Sequence, residues 1–136
     1  MNLFVDTSVW SLALRRDTST SDPGREVSAL ARALAAGGPL FTTGLVLQEL
    51  LQGFRGPRAR ERIVERFSTL PFLVPEREDH VEAAALRNAC RRRGVQIGTI
   101  DALLAQLCIR RELTMLSTDA DFARVAERHP LELWRE

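Results

Sequence analysis

Apolar positions along the chain fall into two patterns. Short unbroken runs have the length of strands: Leu3-Phe4-Val5, Leu40-Phe41-Thr42, Phe72-Leu73-Val74, Thr114-Met115-Leu116 and Leu131-Glu132-Leu133. Between these runs, apolar residues recur three and four positions apart, as one face of a helix does. Val27, Leu30, Ala31 and Leu34 form such a stripe, stopped by Gly37-Gly38-Pro39. Val46, Leu47, Leu50, Leu51 and Phe54 form another, ended by Gly53 to Pro57. Further helices are predicted from Ser8 to Arg15, Arg58 to Phe67 and Asp121 to Arg128. The stretch Asp79 to Arg93 predicts a helix that packs Val81, Ala84, Ala85, Leu86 and Ala89 inward. Thr99 is placed to cap one more, with Ile100, Leu103, Leu104 and Leu107 on its core face. Asp17 to Gly24 reads as a polar, flexible loop, and Gly94 to Gly98 as a turn-rich connector. Strands alternate with helices and are apolar throughout, which predicts an α/β fold. A mostly parallel sheet with helices on both faces makes three α/β/α layers. The run Phe72 to Val74, held between two prolines, belongs near an edge.

At 136 residues, with 45% hydrophobic and 27% charged, the chain suits one domain spanning 1–136. Nineteen basic against eighteen acidic residues leave a net charge of +1, so any attraction for nucleic acid must come from local patches. All the basic residues are arginine. Lacking lysine, the chain has no Walker-type phosphate loop, Schiff-base chemistry or pyridoxal anchor. It also lacks the lysine that receiver domains and haloacid-dehalogenase-type phosphatases place beside their aspartates. With no tyrosine, tyrosine nucleophiles are excluded too. Cys90 and Cys108 match neither a CxxC pair nor a disulfide framework, and both suit small core positions. There is no basic-then-apolar leader at Met1 to Asp6, and no run near the roughly 20 residues of a membrane span. A cytoplasmic protein is the expectation.

In open α/β sheets, sites form beyond the carboxyl ends of the strands. Asp6 follows the first strand, Asp119 and Asp121 follow Thr114-Met115-Leu116, Asp101 opens a helix, and Glu49 lies on the helix after the second strand. These acids can share one rim. Converging carboxylates raise one another's pKa values unless a cation sits among them. With no histidine or cysteine converging, such a site selects Mg²⁺ or Mn²⁺ for work on a phosphodiester. Each acid also has a plainer use. Asp6, Asp119 and Asp121 suit helix caps, Asp101 suits a helix N-terminus, and Glu49 sits off its helix's apolar stripe as a solvated residue does. His80 and His129 match no triad or metal spacing and read as surface residues. Trp10 suits core packing and a partner interface equally.

Four segments together carry a resemblance. They are Val5-Asp6-Thr7-Ser8-Val9-Trp10, Leu47 to Gly53, Gly94 to Ala105, and Leu116-Ser117-Thr118-Asp119-Ala120-Asp121-Phe122. In order and spacing the chain resembles the PIN-domain ribonucleases, and within them the VapC-type toxins of toxin–antitoxin pairs. The resemblance implies a PIN-like three-layer α/β/α fold and metal-dependent endonucleolytic cleavage of RNA. It implies that Asp6, Glu49, Asp101 and Asp119 form the acidic metal site, with Asp121 supporting. Ser8 would help orient the acids, and Ser117 stands where most members have threonine. It further implies a homodimer and a cognate, VapB-like antitoxin. The antitoxin's C-terminal segment would lie along helices near Trp10 to Leu14 and Val27 to Leu34.

The reading that follows is a Mg²⁺- or Mn²⁺-dependent endoribonuclease toxin. Asp6, Asp101 and Asp119 would hold the metal directly or through water, and Glu49 would hold an outlying water or a second metal. Arg15, Arg91 to Arg93 and Arg110 would steer the phosphate backbone. Two rivals are a non-catalytic PIN-like binding module and a structure-specific DNA nuclease. The intact acidic set weighs against the first, and the short chain against the second.

Overall fold

The computed structural model describes residues 1–15 and 23–136; most of the segment expected to form a flexible loop, Asp17 to Gly24, lies outside the described residues. The chain opens with β1 (Leu3–Val5), which runs straight into α1 (Thr7–Arg15), followed by α2 (Arg25–Ala36). Next come β2 (Leu40–Thr43), α3 (Gly44–Gly53), α4 (Pro57–Phe67) and β3 (Phe72–Leu73). The second half comprises α5 (Arg77–Arg92), α6 (Thr99–Arg110), β4 (Thr114–Leu116), α7 (Ala120–Ala126) and β5 (Glu132–Leu133).

The strands form one sheet in the order β3-β2-β1-β4-β5, and every neighbouring pair is parallel. Phe4 sits opposite Phe41 on one side and Met115 on the other. Every side chain of β1 is buried, so both faces of the sheet are covered and the fold has three layers. Phe4, Val5, Met115 and Leu116 are fully enclosed, each worth about 1.5–3 kcal/mol of burial. The edges are minimal: β3 and β5 have two residues each, which limits the open hydrogen-bonding surface. From β1 the chain progresses outward through β2 to β3, then returns to lay β4 on the other side of β1. The strand order therefore reverses beside β1 and β4, and their carboxyl ends open the crevice where such sheets bind ligands.

Local chemistry sets the helix ends. Gly37 closes α2 in the left-handed region, with φ 70°. The hydroxyl of Thr43 accepts from the Val46 amide to start α3. At the start of α5, Glu76 and Asp79 form a reciprocal capping box.

Two helices present faces other than those expected from their apolar residues. The buried positions of α5 are Asp79, Ala83, Leu86 and Cys90, whereas Val81 is 57% exposed and Ala84 and Ala85 face outward. The phase of the helix is fixed by Asp79, which is completely buried and takes hydrogen bonds from Arg110 (3.0 Å) and Arg111 (3.3 Å) at the far end of α6. Burial pushes the Asp79 carboxyl upward, but the Glu76 amide and the two guanidiniums outweigh it and hold the group below its ordinary value. On α6, Gly98 rather than Thr99 occupies the cap position, and Ile100 is 41% exposed beside a cleft. Leu103, Leu104 and Leu107 are buried as expected, and Ala102, Ala105 and Cys108 join them on the core face.

Candidate active site

Asp6 continues the sheet before it joins the site. Its amide donates to the Leu116 carbonyl at 2.9 Å, and its own carbonyl receives the Val9 amide that opens α1. Its side chain, 6% exposed, accepts through Oδ2 from the Ser8 hydroxyl (2.7 Å), the Ser117 hydroxyl (2.9 Å) and the Ser8 amide (3.4 Å). Asp6 is thus a helix cap and a site residue at once. Both hydroxyl protons go to Oδ2, so the Ser8 and Ser117 oxygens, 3.3 Å apart, act as acceptors toward the next segment. Ser8 receives the Thr118 amide (3.1 Å) and Ser117 the Asp119 amide (3.0 Å). Two serines therefore tie the end of β1 to the loop after β4, and Oδ1 of Asp6 takes no hydrogen bond from the described residues.

That loop turns into α7 with Asp119 as its cap, whose Oδ1 accepts the Asp121 amide at 2.9 Å. Asp101 approaches from the first turn of α6. Oxygens of Asp101, Asp119 and Asp121 all lie within 4.8 Å of one another. The Asp101 carboxyl makes no hydrogen bond among the described residues and its pKa is raised to about 6. Burial is the largest cause, followed by the negative charges of Asp6, Asp119, Glu49 and Asp121. The charges of the other four acids therefore converge on Asp101 at this rim.

Their roles are not equal. The tight group includes Asp121, which the sequence marked only as supporting, and leaves Asp6 and Glu49 outside it. Glu49 is exposed on α3, as its place off the apolar stripe suggested, yet its Oε1 accepts the Thr7 hydroxyl at 3.2 Å. The sequence reads Thr7 only as a helix-capping residue between Asp6 and Ser8; its link to Glu49 comes from its place at the first position of α1. Beneath the acids, Cys108 is buried, and burial together with the Asp6 charge pushes its thiol upward. It is a neutral core residue rather than a ligand. The donor set is all carboxylate oxygen, which fits a hard divalent cation such as Mg²⁺ or Mn²⁺.

Several residues expected to serve the site or an interface have other partners. Arg110 lies nine residues beyond Asp101 on α6, about 13 Å along the axis, and is committed to Asp79. Arg91 donates to Asn88 at 2.6 Å, and Arg15 lies over the Phe54 ring at 5.1 Å. Trp10 belongs to the core: it is buried, with its ring 4.9 Å from that of Phe67. A partner has no access to its ring, and the outward face of α1 is carried by Leu12. His129 is half-buried, with Nε2 3.9 Å from the Cys90 sulfur, so it is not the plain surface residue expected.

A family model described as a PIN domain matches residues 3–128. A comparison with curated proteins finds no significant match. Among solved structures, VapBC2 from Rickettsia felis, bound to a DNA fragment from their promoter, gives a TM-score of 0.75 at 19% identity, covering 98% of both chains. VapBC-5 from Mycobacterium tuberculosis, a member of the VapBC family of toxin–antitoxin systems, gives 0.68 at 20% identity, covering 99% of this chain and 98% of that one. VapC20 from the same organism, described as a sarcin–ricin loop cleaving toxin, gives 0.65 at 21% identity over 93% of this chain and 95% of its own. At these identities the likeness is one of fold.

Proposed function

Since the chain belongs to the PIN-domain family, we propose that it is a Mg²⁺- or Mn²⁺-dependent endoribonuclease, the toxin of a toxin–antitoxin pair. The observation that carries this reading is the convergence of Asp101, Asp119 and Asp121 within 4.8 Å, with Asp6 and Glu49 close enough to shift Asp101. Asp101, Asp119 and Asp121 would hold the cation together with the open Oδ1 of Asp6. Glu49, held by Thr7, would serve a second cation or an ordered water. A bound cation offsets charge on the phosphodiester and acidifies the attacking water. The protein's part is to keep the acids in place. Ser8 and Ser117 fix the unused oxygen of Asp6, and the Asp121 amide fixes Asp119.

A VapB-like antitoxin and a homodimer complete the proposal. Leu12, 50% exposed on α1, offers an apolar foothold for the antitoxin. Val81, Ile100, Ala84 and Ala85 lie exposed on α5 and α6, where a cleft of about 320 Å³ runs between Leu45, Ala83 and Leu103. A second copy would cover that apolar face. No helix among the described residues is long and apolar enough to cross a membrane. The two buried free cysteines fit a reducing cytoplasm.

Purified protein should cut RNA in Mn²⁺ or Mg²⁺, spare DNA of the same sequence, and stop in chelator or as Asp101→Asn. Cleavage of RNA that survives both treatments would refute the assignment. Cutting confined to DNA would favour the DNA nuclease, and neither cutting nor growth arrest would favour the binding module.

A further inference from the structure

A second concavity, of about 130 Å³, lies between the end of α5 and α7. Arg93, Arg124, Arg128 and His129 line it, with Cys90 as part of its wall and Glu127 as its one carboxylate. The guanidiniums of Arg93 and Arg128 form no ion pair or hydrogen bond among the described residues. Arg124 reaches the other way, with Nη1 2.8 Å from Oδ1 of Asp121 in the acidic cluster. Placement at helix ends accounts for Arg93 and Arg128 individually, since cations favour that pole. It does not account for two unpaired guanidiniums sharing one concavity with a single carboxylate. Such an arrangement is relieved by an anion.

Asp121, Arg124 and Arg128 follow one another at spacings of three and four, a single stripe along α7 and the turn beyond it. Seven residues at about 1.5 Å each put Arg128 about 10 Å along the axis from Asp121. That is about three nucleotides at the rise of about 3.4 Å of a stacked strand. We propose that Arg93 and Arg128 form a backbone-phosphate subsite for single-stranded RNA, linked through the Arg124–Asp121 pair to the phosphodiester held at the acidic cluster. This rests on the ribonuclease reading, and gives it a direction: the strand leaves the acidic cluster along α7 toward the end of α5. It also explains how a chain of net charge +1 can hold a polyanion, by a local cationic track rather than a global field.

The test measures binding of a labelled single-stranded RNA to the Asp101→Asn protein by fluorescence anisotropy across a salt series, with hexaglutamate as a parallel probe. Arg93→Ala and Arg128→Ala should each weaken RNA binding about threefold and reduce the salt slope by about 0.7. In the Asp101-containing enzyme the same changes should raise KM and leave kcat in place. Arg58→Ala, on α4 and outside the concavity, should change neither. Equal affinity and equal slope in the Arg93→Ala/Arg128→Ala double variant would overturn the subsite while leaving the nuclease reading intact. A parent that neither binds nor cuts RNA would overturn both. Loss of hexaglutamate binding with RNA binding unchanged would assign the concavity to an acidic protein segment and overturn the proposal.

Discussion

Replacing Asp101 with asparagine should abolish cleavage and, without metal, make the protein more stable. The carboxyl titrates near 6 in the fold against 3.8 as its ordinary value, because burial and four neighbouring acids disfavour its charge. Below pH 3.8 the group is protonated whether folded or unfolded, and it costs nothing. Between 3.8 and 6 the folded chain holds a proton that the unfolded chain has released, so stability falls as pH rises. Above 6 the full cost is present. A shift from 3.8 to about 6 corresponds to about 3 kcal/mol at most. Solvent reaching the half-buried carboxylate reduces this to about 1–2 kcal/mol. Asparagine has nearly the same shape and no charge, and its amide can donate to the neighbouring carboxylates. At about 4 °C per kcal/mol, the variant should melt about 4–8 °C higher at pH 8 in chelator. Circular dichroism melts at pH 4 to 8 would follow the gain vanishing toward pH 4. Added Mn²⁺ should stabilise the protein with Asp101 by mass action and close or invert the gap. A variant no more stable than the parent at pH 8 in chelator would mean that the four neighbouring acids do not press on Asp101, and the convergence argument would fail.

Two other residues yield predictions of different kinds. Thr7→Val removes the hydroxyl that holds Glu49 and should weaken cation binding about 3–10-fold, the worth of about 0.5–1.5 kcal/mol for one hydrogen bond. Thr7→Ser should restore it, and an Mn²⁺ titration in which valine matches the parent would remove Thr7 from the site. Asp79→Ala leaves Arg110 and Arg111 without their buried partner and should cost about 3 kcal/mol in denaturant unfolding, with kcat retained because the pair lies at the far end of α6 from Asp101. The stabilisation Asp79 provides is present above the ordinary carboxylate range and is lost as pH falls through its lowered value. Unchanged unfolding in the variant would show the pair to be dispensable.

Which features were legible in the sequence follows from where their causes lie. β1, β2 and β4 are short apolar runs whose buried side chains announce themselves, and parallel pairing follows from the helices between them. The rim acids were legible because a strand's end is a fixed address: Asp6 and Asp119 sit just beyond β1 and β4. The phase of α5 was not. Hydrophobicity favours Val81, Ala84 and Ala85, but the packed face runs Asp79, Ala83, Leu86, Cys90, and its first member is charged. The Glu76 amide and two arginine partners 31 and 32 residues away together offset the burial of Asp79, and the arginines are remote in sequence. Arg110 was assigned to RNA for the same reason: its partner is remote in sequence.

Glu49 carries the argument furthest. The pattern of α3 alone reads it as a solvated residue, and it is exposed. Its connection to the site comes from Thr7 on another element, and its charge reaches Asp101 on a third. The same holds for Oδ2 of Asp6, occupied by hydroxyls from the first turn of α1 and from the loop after β4. Each element's own pattern settles whether a side chain faces core or solvent. What an exposed acid does is decided by neighbours that the sheet order brings together, and here that order turns back beside β1 and β4. Four carboxylates gathered around Asp101 at that turn, with serines holding Asp6 and a threonine holding Glu49, disfavour its charge at a cost to the fold. The proposed cation-dependent activity would give this arrangement a purpose, because the ligand that relieves the repulsion is also the one the chemistry requires.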